Sequence, residues 1–415
     1  MRQVMKSVAL ASLGNLLEWY DFGLFASFAL LFSHLFFPHQ APHIALIEVF
    51  GVYALGFVCR PLGSIFFGMM GDRYGRVKTL RASVFVMSLP TILIAFLPTY
   101  ATAGMWAPIL LMSLRLLQGV SLGGEFTGVI IYLGESAPQG HRAFLTSFAG
   151  TIANLGFLFA GCVAAVLVYV MSPAHFVQYG WRLAFLLGGG LGIFIFIVQK
   201  VLKETNVFTA LQDKQQTAAI SFWQVIQNTW RQMLITVGLA MLGAVLYYMS
   251  FVYFFNLLQT LGMPKAQAYV LQTGFLGLML ILVPISGWLC DILGRRTSFM
   301  ILAGSIFTFA LPAFYFLLSG DILEIILGLC FFVLLSSFEQ GITSATVVEL
   351  FPPALRYSGL SFSYNLMQAV FGGTAPMVAG YLSFVKGSAL GPAFYLMGLA
   401  AVTFLIAMFC LKKNR

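Results

Sequence analysis

Charged residues are scarce in this chain of 415 residues: only 8% are Asp, Glu, Lys or Arg, whereas 60% are hydrophobic. A water-soluble domain normally carries about 25% charged residues, because its surface must be solvated. The scarcity of charge therefore excludes an ordinary soluble protein. It indicates that lipid surrounds most of the chain.

Cysteine and histidine are also few, with five of each. The sequence holds no C-x-x-C motif, and no cysteine has a histidine partner at metal-ligand spacing, so it predicts no metal site. All five cysteines fall in apolar segments, where we interpret them as packing residues. The sequence also lacks a nucleophile with a neighbouring base and a nucleotide-binding loop, so we expect neither an enzyme nor a cofactor.

Apolar stretches long enough to cross a bilayer recur about twelve times along the chain. In a bilayer each stretch must be a helix, because only a helix satisfies its own backbone hydrogen bonds. We therefore predict an all-α integral membrane protein with twelve transmembrane helices in two pseudo-symmetric six-helix bundles. The predicted spans are centred near residues 21, 57, 88, 120, 156, 192, 246, 278, 308, 335, 370 and 401.

The basic residues are distributed unevenly between the predicted loops. Most of the 22 Lys and Arg residues fall on the side of the N-terminus, and the opposite side keeps only Arg182, Lys265 and Lys386. Cytoplasmic loops carry such an excess, so we predict that both termini are cytoplasmic. The formal net charge of +9 therefore reports membrane topology, and it does not indicate a nucleic-acid partner.

Two repeats indicate that the second half of the chain duplicates the first. The motif G-x-x-x-D-x-x-G-R occurs at residues 68–76 and again at 287–295. Five further identities are spaced by 214 residues: Glu125 and Glu339, Glu135 and Glu349, Pro138 and Pro352, Arg142 and Arg356, and Ser147 and Ser361. Two hydrophobic halves related by a parallel repeat are typical of secondary transporters that rock between two states.

The repeated turns are predicted to form a cytoplasmic gate. We expect each motif aspartate to accept hydrogen bonds from the N-terminus of a neighbouring helix. The motif arginines should pair with Glu135 and Glu349 across the interface of the halves, and such contacts would break on opening. The predicted gate residues are Asp72, Arg73, Gly75, Arg76, Glu135, Arg142, Asp291, Arg295, Glu349 and Arg356.

A polar interval divides the chain into three predicted parts. Residues 1–201 form the N-terminal bundle, 202–230 a cytoplasmic linker, and 231–415 the C-terminal bundle. The linker is expected to contain a short amphipathic helix around Phe222–Ile226 at the membrane surface.

Ionisable residues within the predicted spans are the candidates for proton coupling, because each is costly in hydrocarbon unless it faces a partner or water. Helical rise places four of them at comparable depth, with Arg115 nearer the middle of the membrane. One charge network of Glu18, Asp21, Arg60 and Glu125 is therefore expected, in which Asp21 and Glu125 lie nearest Arg60 in depth. Glu339 is either a proton site or a structural partner of the turn at Arg356. The predicted coupling residues are Glu18, Asp21, Arg60, Glu125 and Glu339.

Polar stripes on several helices predict a substrate path, although interhelical hydrogen bonds would leave the same pattern. Arg115 is the candidate for holding a carboxylate, because a guanidinium offers a bidentate fork. Trp19 and Phe22 either form a cation–π wall for a quaternary ammonium or face lipid or a neighbouring helix. The predicted substrate residues are Arg115, Gln118, Asn154, Tyr248, Tyr364, Asn365 and Trp19.

The repeated motif resembles the signature of the major facilitator superfamily. Within it the chain resembles the metabolite:proton symporter family, in the passages Gly14–Phe22, Arg60–Gly63, Arg115–Glu125, Glu349–Arg356 and Tyr364–Gly373. That resemblance implies proton-driven uptake of proline, betaine, α-ketoglutarate, citrate or shikimate across a bacterial inner membrane. Glu339 and the turn Phe371–Gly373 favour the organic-acid members over the proline/betaine members.

The sequence thus predicts proton-coupled uptake of a small carboxylate-bearing metabolite, either an organic acid or a zwitterionic amino acid or betaine, by alternating access. The expected partners are this substrate, protons and the lipid bilayer, and we expect a monomer. One alternative is a proton-driven exporter of drugs or siderophores on the same fold. The other is a non-transporting sensor, for which the short linker leaves no room for a signalling domain.

Overall fold

The computed structural model describes residues 2–38, 48–49, 51–52, 55–215 and 221–412, and every regular element among them is helical. The first helices are α1 (Arg2–Ser27), α2 (Ala29–Phe36), α3 (Arg60–Tyr74), α4 (Arg76–Ala95), α5 (Trp106–Ser136), α6 (Arg142–Val170), α7 (Trp181–Val198) and α8 (Asn206–Asp213). They are followed by α9 (Phe222–Tyr248), α10 (Phe254–Thr260), α11 (Lys265–Leu293), α12 (Arg295–Leu318), α13 (Ile322–Leu350), α14 (Arg356–Met367), α15 (Ala375–Gly380) and α16 (Gly391–Cys410). Single helical turns lie at Tyr100–Ala103, Pro173–His175 and Gln199–Val201.

Within the described part of the chain, nine helices are long and apolar enough to cross a bilayer. The pair α1 and α2, bent by 65°, makes a tenth. These ten coincide with ten of the predicted centres. The centre near residue 57 adjoins residues 53–54, which lie outside the described ranges, and is followed by α3. The centre near residue 370 lies where α14 gives way to π-helical turns at Gln368–Gly372 and Tyr381–Val385, on either side of α15. The chain therefore has the predicted all-α membrane fold, with an interrupted eleventh segment.

The chain folds into two compact units. Unit 1 consists of Met1–Ser136, Ile152–Val225 and Pro353–Phe362. Unit 2 consists of Ala137–Thr151, Ile226–Pro352 and Ser363–Arg415. The first turns of α6 thus belong to unit 2, and the first turns of α14 belong to unit 1. The division at residues 1–201, 202–230 and 231–415 remains a prediction.

The short linker helix lies earlier than the sequence predicted. It is α8, which begins after Thr205, whose hydroxyl accepts a hydrogen bond from the Phe208 N–H at 3.2 Å and so caps the helix. The prediction of a separate helix at Phe222–Ile226 is wrong, because these residues form the first turns of the long helix α9. Ser221 and Gln224 cap that helix reciprocally, since the Ser221 N–H donates to Gln224 Oε1 at 2.9 Å.

Helices α3 and α5 pack with their backbones in contact, because glycines face each other along the line of contact. A Cβ on Gly123 would overlap backbone atoms of Arg60 and Ser64, and a Cβ on Gly63 would overlap the backbone of Val120. Small residues let helices approach closely in lipid, where no hydrophobic force drives association. This contact holds the first residue of α3, Arg60, beside α5.

Alanine at Gly123 should lower the thermal stability of the protein. The added methyl group collides with backbone atoms that cannot move aside, and overpacking of this kind costs roughly 1–3 kcal/mol. Gly161→Ala is the matched control, because nothing lies within 4 Å of the position its Cβ would take. Thermal unfolding in lipid nanodiscs measures both variants. Equal melting temperatures for the two would show that the contact between α3 and α5 is not close.

Candidate functional site

Unit 1 contains two buried ion pairs that join α1 to α3 and to α5. Arg60 Nη2 donates to Glu18 Oε1 at 2.8 Å, and Arg115 Nη1 donates to Asp21 Oδ2. None of the four side chains is more than 4% exposed. Desolvation costs several kcal/mol for each buried ion, and the attraction of the oppositely charged partner offsets this cost. Removing one partner therefore leaves the other as an uncompensated buried charge. Each of the four charges is therefore stable in this buried site only while its partner is present.

The carboxylate of Asp21 lies in a hydrogen-bond network with neutral donors. Its Oδ1 accepts from Gln118 Nε2 at 2.9 Å and from the Thr91 hydroxyl at 3.1 Å. Gln118 Oε1 in turn accepts from Arg115 Nη1 at 2.8 Å. The network brings the predicted residues Arg115, Gln118 and Asp21 together. It also adds Thr91, which sequence reasoning missed because one threonine in an apolar helix carries no distinctive pattern.

Aromatic rings cover the two guanidinium groups. The ring centre of Phe25 lies 3.9 Å from Arg115 Cζ. The ring of Phe22 lies 5.7 Å from Cζ of both Arg115 and Arg60. Phe22, for which the sequence left open a quaternary ammonium, lipid or a neighbouring helix, faces arginines of the neighbouring helices α3 and α5. Trp19 is half-buried.

The pairing corrects the expected single network. Arg60 pairs with Glu18 of the expected network, but Asp21 pairs with Arg115, which was expected to lie apart from that network. Glu18 and Asp21 are three residues apart, which is a rise of about 4.5 Å along α1. That rise directs the two carboxylates to different helices, α3 and α5.

Glu125 takes no part in either ion pair. Its carboxyl group lies against α1 at Gly14, where a Cβ would overlap the carboxyl oxygen. The hydroxyl of Ser83 donates to it, and no basic side chain among the described residues pairs with it. An isolated buried charge is costly, and no described basic residue compensates a charge on Glu125 as the arginines do for Glu18 and Asp21.

Unit 2 contains a carboxyl group in the same kind of surroundings. Glu339 is 6% exposed, and the Thr343 hydroxyl donates to its Oε1 at 2.6 Å. A Cβ on Gly243 of α9 would overlap the carboxyl group. Of the two interpretations left open by the sequence, the partnership with the turn at Arg356 is wrong. Arg356 Nη1 donates instead to Glu135 Oε1 at 2.8 Å.

The remaining predicted substrate residues lie in both units. Asn154 is buried in unit 1. Tyr248 and Asn365 are buried in unit 2, where the Tyr364 hydroxyl accepts from Gln368 Nε2 at 3.2 Å. Among the predicted substrate residues, Gln118 forms a described hydrogen bond with Arg115.

Each repeated turn receives the N-terminus of a helix. In unit 1 the carboxylate of Asp72 accepts from the N–H groups of Tyr357 and Ser358, at 3.0 and 2.9 Å. In unit 2 Asp291 accepts from the N–H groups at the start of α6, at 3.0 and 2.9 Å. A carboxylate at this end of a helix is favoured by the helix dipole and by the unsatisfied N–H groups.

The motif arginines extend these contacts into two charge clusters. Arg76 Nη2 donates to Glu135 Oε1 at 3.0 Å, and the same oxygen accepts from Arg356. Arg76 and Glu135 come from the same half of the sequence, so the expectation that they pair across the halves is wrong. The other half contributes Arg356. The equivalent cluster in unit 2 consists of Asp291, Arg295, Glu349 and Arg142.

The two clusters differ in burial because the linker covers the first. The side chains of Arg76 and Glu135 have no exposed area, whereas Glu349 is 31% exposed. The Thr205 hydroxyl donates to Glu135 Oε2 at 2.6 Å, and the ring of Phe208 lies 5.1 Å from Arg76 Cζ. Sequence reasoning missed this cover, for which the only signal was the pattern of a helix cap at Thr205.

Two predicted gate residues have other roles in the structure. Gly75 separates α3 from α4 with φ of 109°, which favours glycine, and a Cβ there would overlap the carboxylate of Glu204. That carboxylate accepts from the Val77 N–H at 3.1 Å. Arg73 is exposed and stacks over the ring of Tyr74, outside the charge cluster.

Known proteins similar to this chain are transporters. A family model described as Major Facilitator Superfamily matches residues 11–360. The proline/betaine transporter of Escherichia coli (strain K12) is 33% identical over 410 residues, covering 96% of this chain and 82% of the relative. The glycine betaine/proline/ectoine/pipecolic acid transporter OusA of Dickeya dadantii (strain 3937) is 31% identical over 418 residues, covering 98% and 83%. These names refer to proline and betaine, whereas the turn Phe371–Gly373 pointed towards organic acids.

Solved structures share the fold at low sequence identity. The proton:xylose symporter XylE has a TM-score of 0.79 at 17% identity, over 98% of this chain and 94% of that one. The fucose:proton symporter FucP of E. coli has a TM-score of 0.74 at 15% identity, over 99% and 100%. The chain therefore belongs to the Major Facilitator Superfamily, as a multi-pass secondary transporter of small solutes.

Proposed function

We propose that this protein imports a small zwitterion bearing a carboxylate, such as an amino acid or a betaine, together with protons across a bacterial inner membrane. The observation that carries the proposal is the buried pair of Arg115 and Asp21 in unit 1. A zwitterion that enters between these side chains replaces one ion pair by two. An organic acid would satisfy Arg115 and leave Asp21 as a buried, uncompensated charge. The names of the relatives support the zwitterion over the organic acid and over the exported drug or siderophore.

The surroundings of the pair suit both ends of such a substrate. The guanidinium of Arg115 offers parallel N–H donors to a carboxylate. Gln118 and Thr91, which bond to Asp21, keep that carboxylate oriented towards a cation. The faces of Phe22 and Phe25, which cover Arg115, suit an ammonium or quaternary ammonium group.

We assign the transported proton of unit 1 to Glu125. Glu18 and Asp21 each have an arginine partner, which stabilises the ionised carboxylate, whereas the described partner of Glu125 is the Ser83 hydroxyl. Arg60 and Glu18 then hold α1 against α3. The proton gradient of a bacterial inner membrane would drive uptake into the cell, with both termini cytoplasmic and one chain as the functional unit.

The charge clusters are proposed to open and close during transport. Asp72 ties the N-terminus of α14, from the second half of the sequence, into unit 1. Alternating access requires contacts that break and re-form as a bistable set, and hydrogen bonds to a helix terminus meet that requirement.

Lysine at Arg115 should weaken substrate binding. It keeps the positive charge but loses the planar fork, so we expect a loss of roughly 2 kcal/mol, or about 30-fold in Kd for proline or glycine betaine. Isothermal titration calorimetry on the purified protein measures the change. Arg182→Lys, at an arginine that bonds to the Ala95 carbonyl, is the matched control. An unchanged Kd for Arg115→Lys would make Arg115 a structural partner of Asp21 only.

Glutamine at Glu125 should uncouple one proton and leave the substrate site intact. The amide cannot release a proton, so accumulation driven by a pH difference of one unit should fall about tenfold. Exchange of substrate at equal pH moves no net protons and should continue. Uptake and exchange of labelled proline in proteoliposomes separate the two effects. Full accumulation by this variant would remove Glu125 from proton coupling.

Asparagine at Asp72 should loosen the start of α14. An amide has one oxygen that accepts and one N–H₂ group that cannot. One of the two backbone N–H donors therefore loses its acceptor, which costs roughly 1–3 kcal/mol. A cysteine placed at Ser358, in a variant without the native cysteines, should then react faster with a maleimide. Asp213→Asn, at an exposed aspartate of unit 1, is the control. Equal labelling rates for the two variants would exclude Asp72 from the gate.

A further inference from the structure

We propose that Glu339 of unit 2 binds a second transported proton, so that two protons accompany each substrate molecule. The inference rests on the proton coupling proposed above and adds its stoichiometry. It places one proton site in each unit, at positions related by the 214-residue repeat.

The two carboxyl groups have matching surroundings. Glu125 projects from α5 against Gly14 of α1, and Glu339 projects from α13 against Gly243 of α9. In both places a Cβ on the glycine would overlap the carboxyl group. One hydroxyl donates to each carboxyl group, and for Glu339 it belongs to Thr343. The duplicated halves thus retain the acid, the glycine that accommodates it and a hydroxyl donor.

The charged residues near Glu339 lie towards the ends of the helices that pack around it. Arg231 of α9 is 12 residues from Gly243, a rise of about 18 Å. Glu349 is ten residues along α13, about 15 Å away, and is bonded within the charge cluster of unit 2. The other titratable side chains described on these helices are Tyr247 and Tyr248 of α9, Tyr269, Cys290 and Asp291 of α11, Arg295, Arg296 and Tyr315 of α12, and Glu324 and Cys330 of α13. None of these residues forms a described ion pair or hydrogen bond with Glu339.

Packing alone does not explain why residue 339 is an acid. An acid in a membrane span is costly, and an amide or an apolar side chain would fill the same space without that cost. The distinct property of the acid is that it binds and releases a proton. Helix α9 passes into a π-helical segment at Met249–Tyr253, less than two turns beyond Gly243. Such segments occur where helices bend and at functional sites, so α9 has a point at which it can move away from Glu339.

The number of coupled protons is measurable without knowledge of the charge on the substrate. The protein is reconstituted into proteoliposomes with the membrane potential held at zero by potassium and valinomycin. The equilibrium accumulation of labelled proline is then measured at several pH differences. The slope of log accumulation against the pH difference equals the number of protons. We expect a slope of two for the unaltered protein, which is about 100-fold accumulation per pH unit.

Glu339→Gln should lower the slope to one, or about tenfold accumulation per pH unit, and so should Glu125→Gln. The double variant should give a slope of zero while still exchanging substrate at equal pH. Glu339→Asp keeps a carboxyl group and should retain a slope of two, which also tests for a folding defect. Glu324→Gln, an exposed position on the same helix, is the matched control and should retain a slope of two.

Two results would overturn the second proton site. One is a slope of two in Glu339→Gln, and the other is a slope of one in the unaltered protein that depends on Glu125 alone. The second result would leave the proposed function intact. A slope of zero in the unaltered protein, with exchange intact, would instead contradict proton coupling itself.

Discussion

The cost of a buried charge is the constraint on which unit 1 depends. Two carboxylates on α1 and two arginines on α3 and α5 are removed from water, and each is stable only opposite its partner. The partners meet because Gly63 and Gly123 let α3 and α5 approach to backbone contact. A substrate that separates such a pair must compensate both charges, so one constraint accounts for the packing of α1 and for the proposed choice of a zwitterion.

The duplicated halves keep the same chemistry in unequal surroundings. Both repeated turns place an aspartate on a helix N-terminus, and both link it through an arginine to a glutamate. The cluster of unit 1 is buried beneath Thr205 and Phe208, whereas that of unit 2 is partly exposed. Low dielectric strengthens hydrogen bonds and ion pairs. In the cluster of unit 1, burial therefore strengthens the attraction between the charges and also raises the cost of leaving any of them unpaired.

Much of the fold followed from the sequence, because hydrophobic length and repeat spacing are local properties. Ten of the predicted centres coincide with spans, and the repeated turn correctly indicated where helix termini meet aspartates. The partners of the buried carboxylates could not be predicted from the sequence. Helical rise gives the depth of Glu18 and Asp21 but not the neighbouring helix that each one meets. The cover over Arg76 and the π-helical turns after α14 depend on tertiary contacts that leave no periodic pattern in sequence.

The central claim is that Arg115 and Asp21 together recognise a zwitterion. Three ligands built on a saturated five-membered ring test it directly: proline with both charges, prolinamide with only the cation, and tetrahydrofuran-2-carboxylate, whose ring oxygen replaces the nitrogen, with only the anion. Titration calorimetry on the purified protein compares their affinities. Because a ligand with one charge leaves a buried partner uncompensated, the account predicts that proline binds at least about 100-fold more tightly than either of the others. Equal affinity for proline and the carboxylate anion would contradict it.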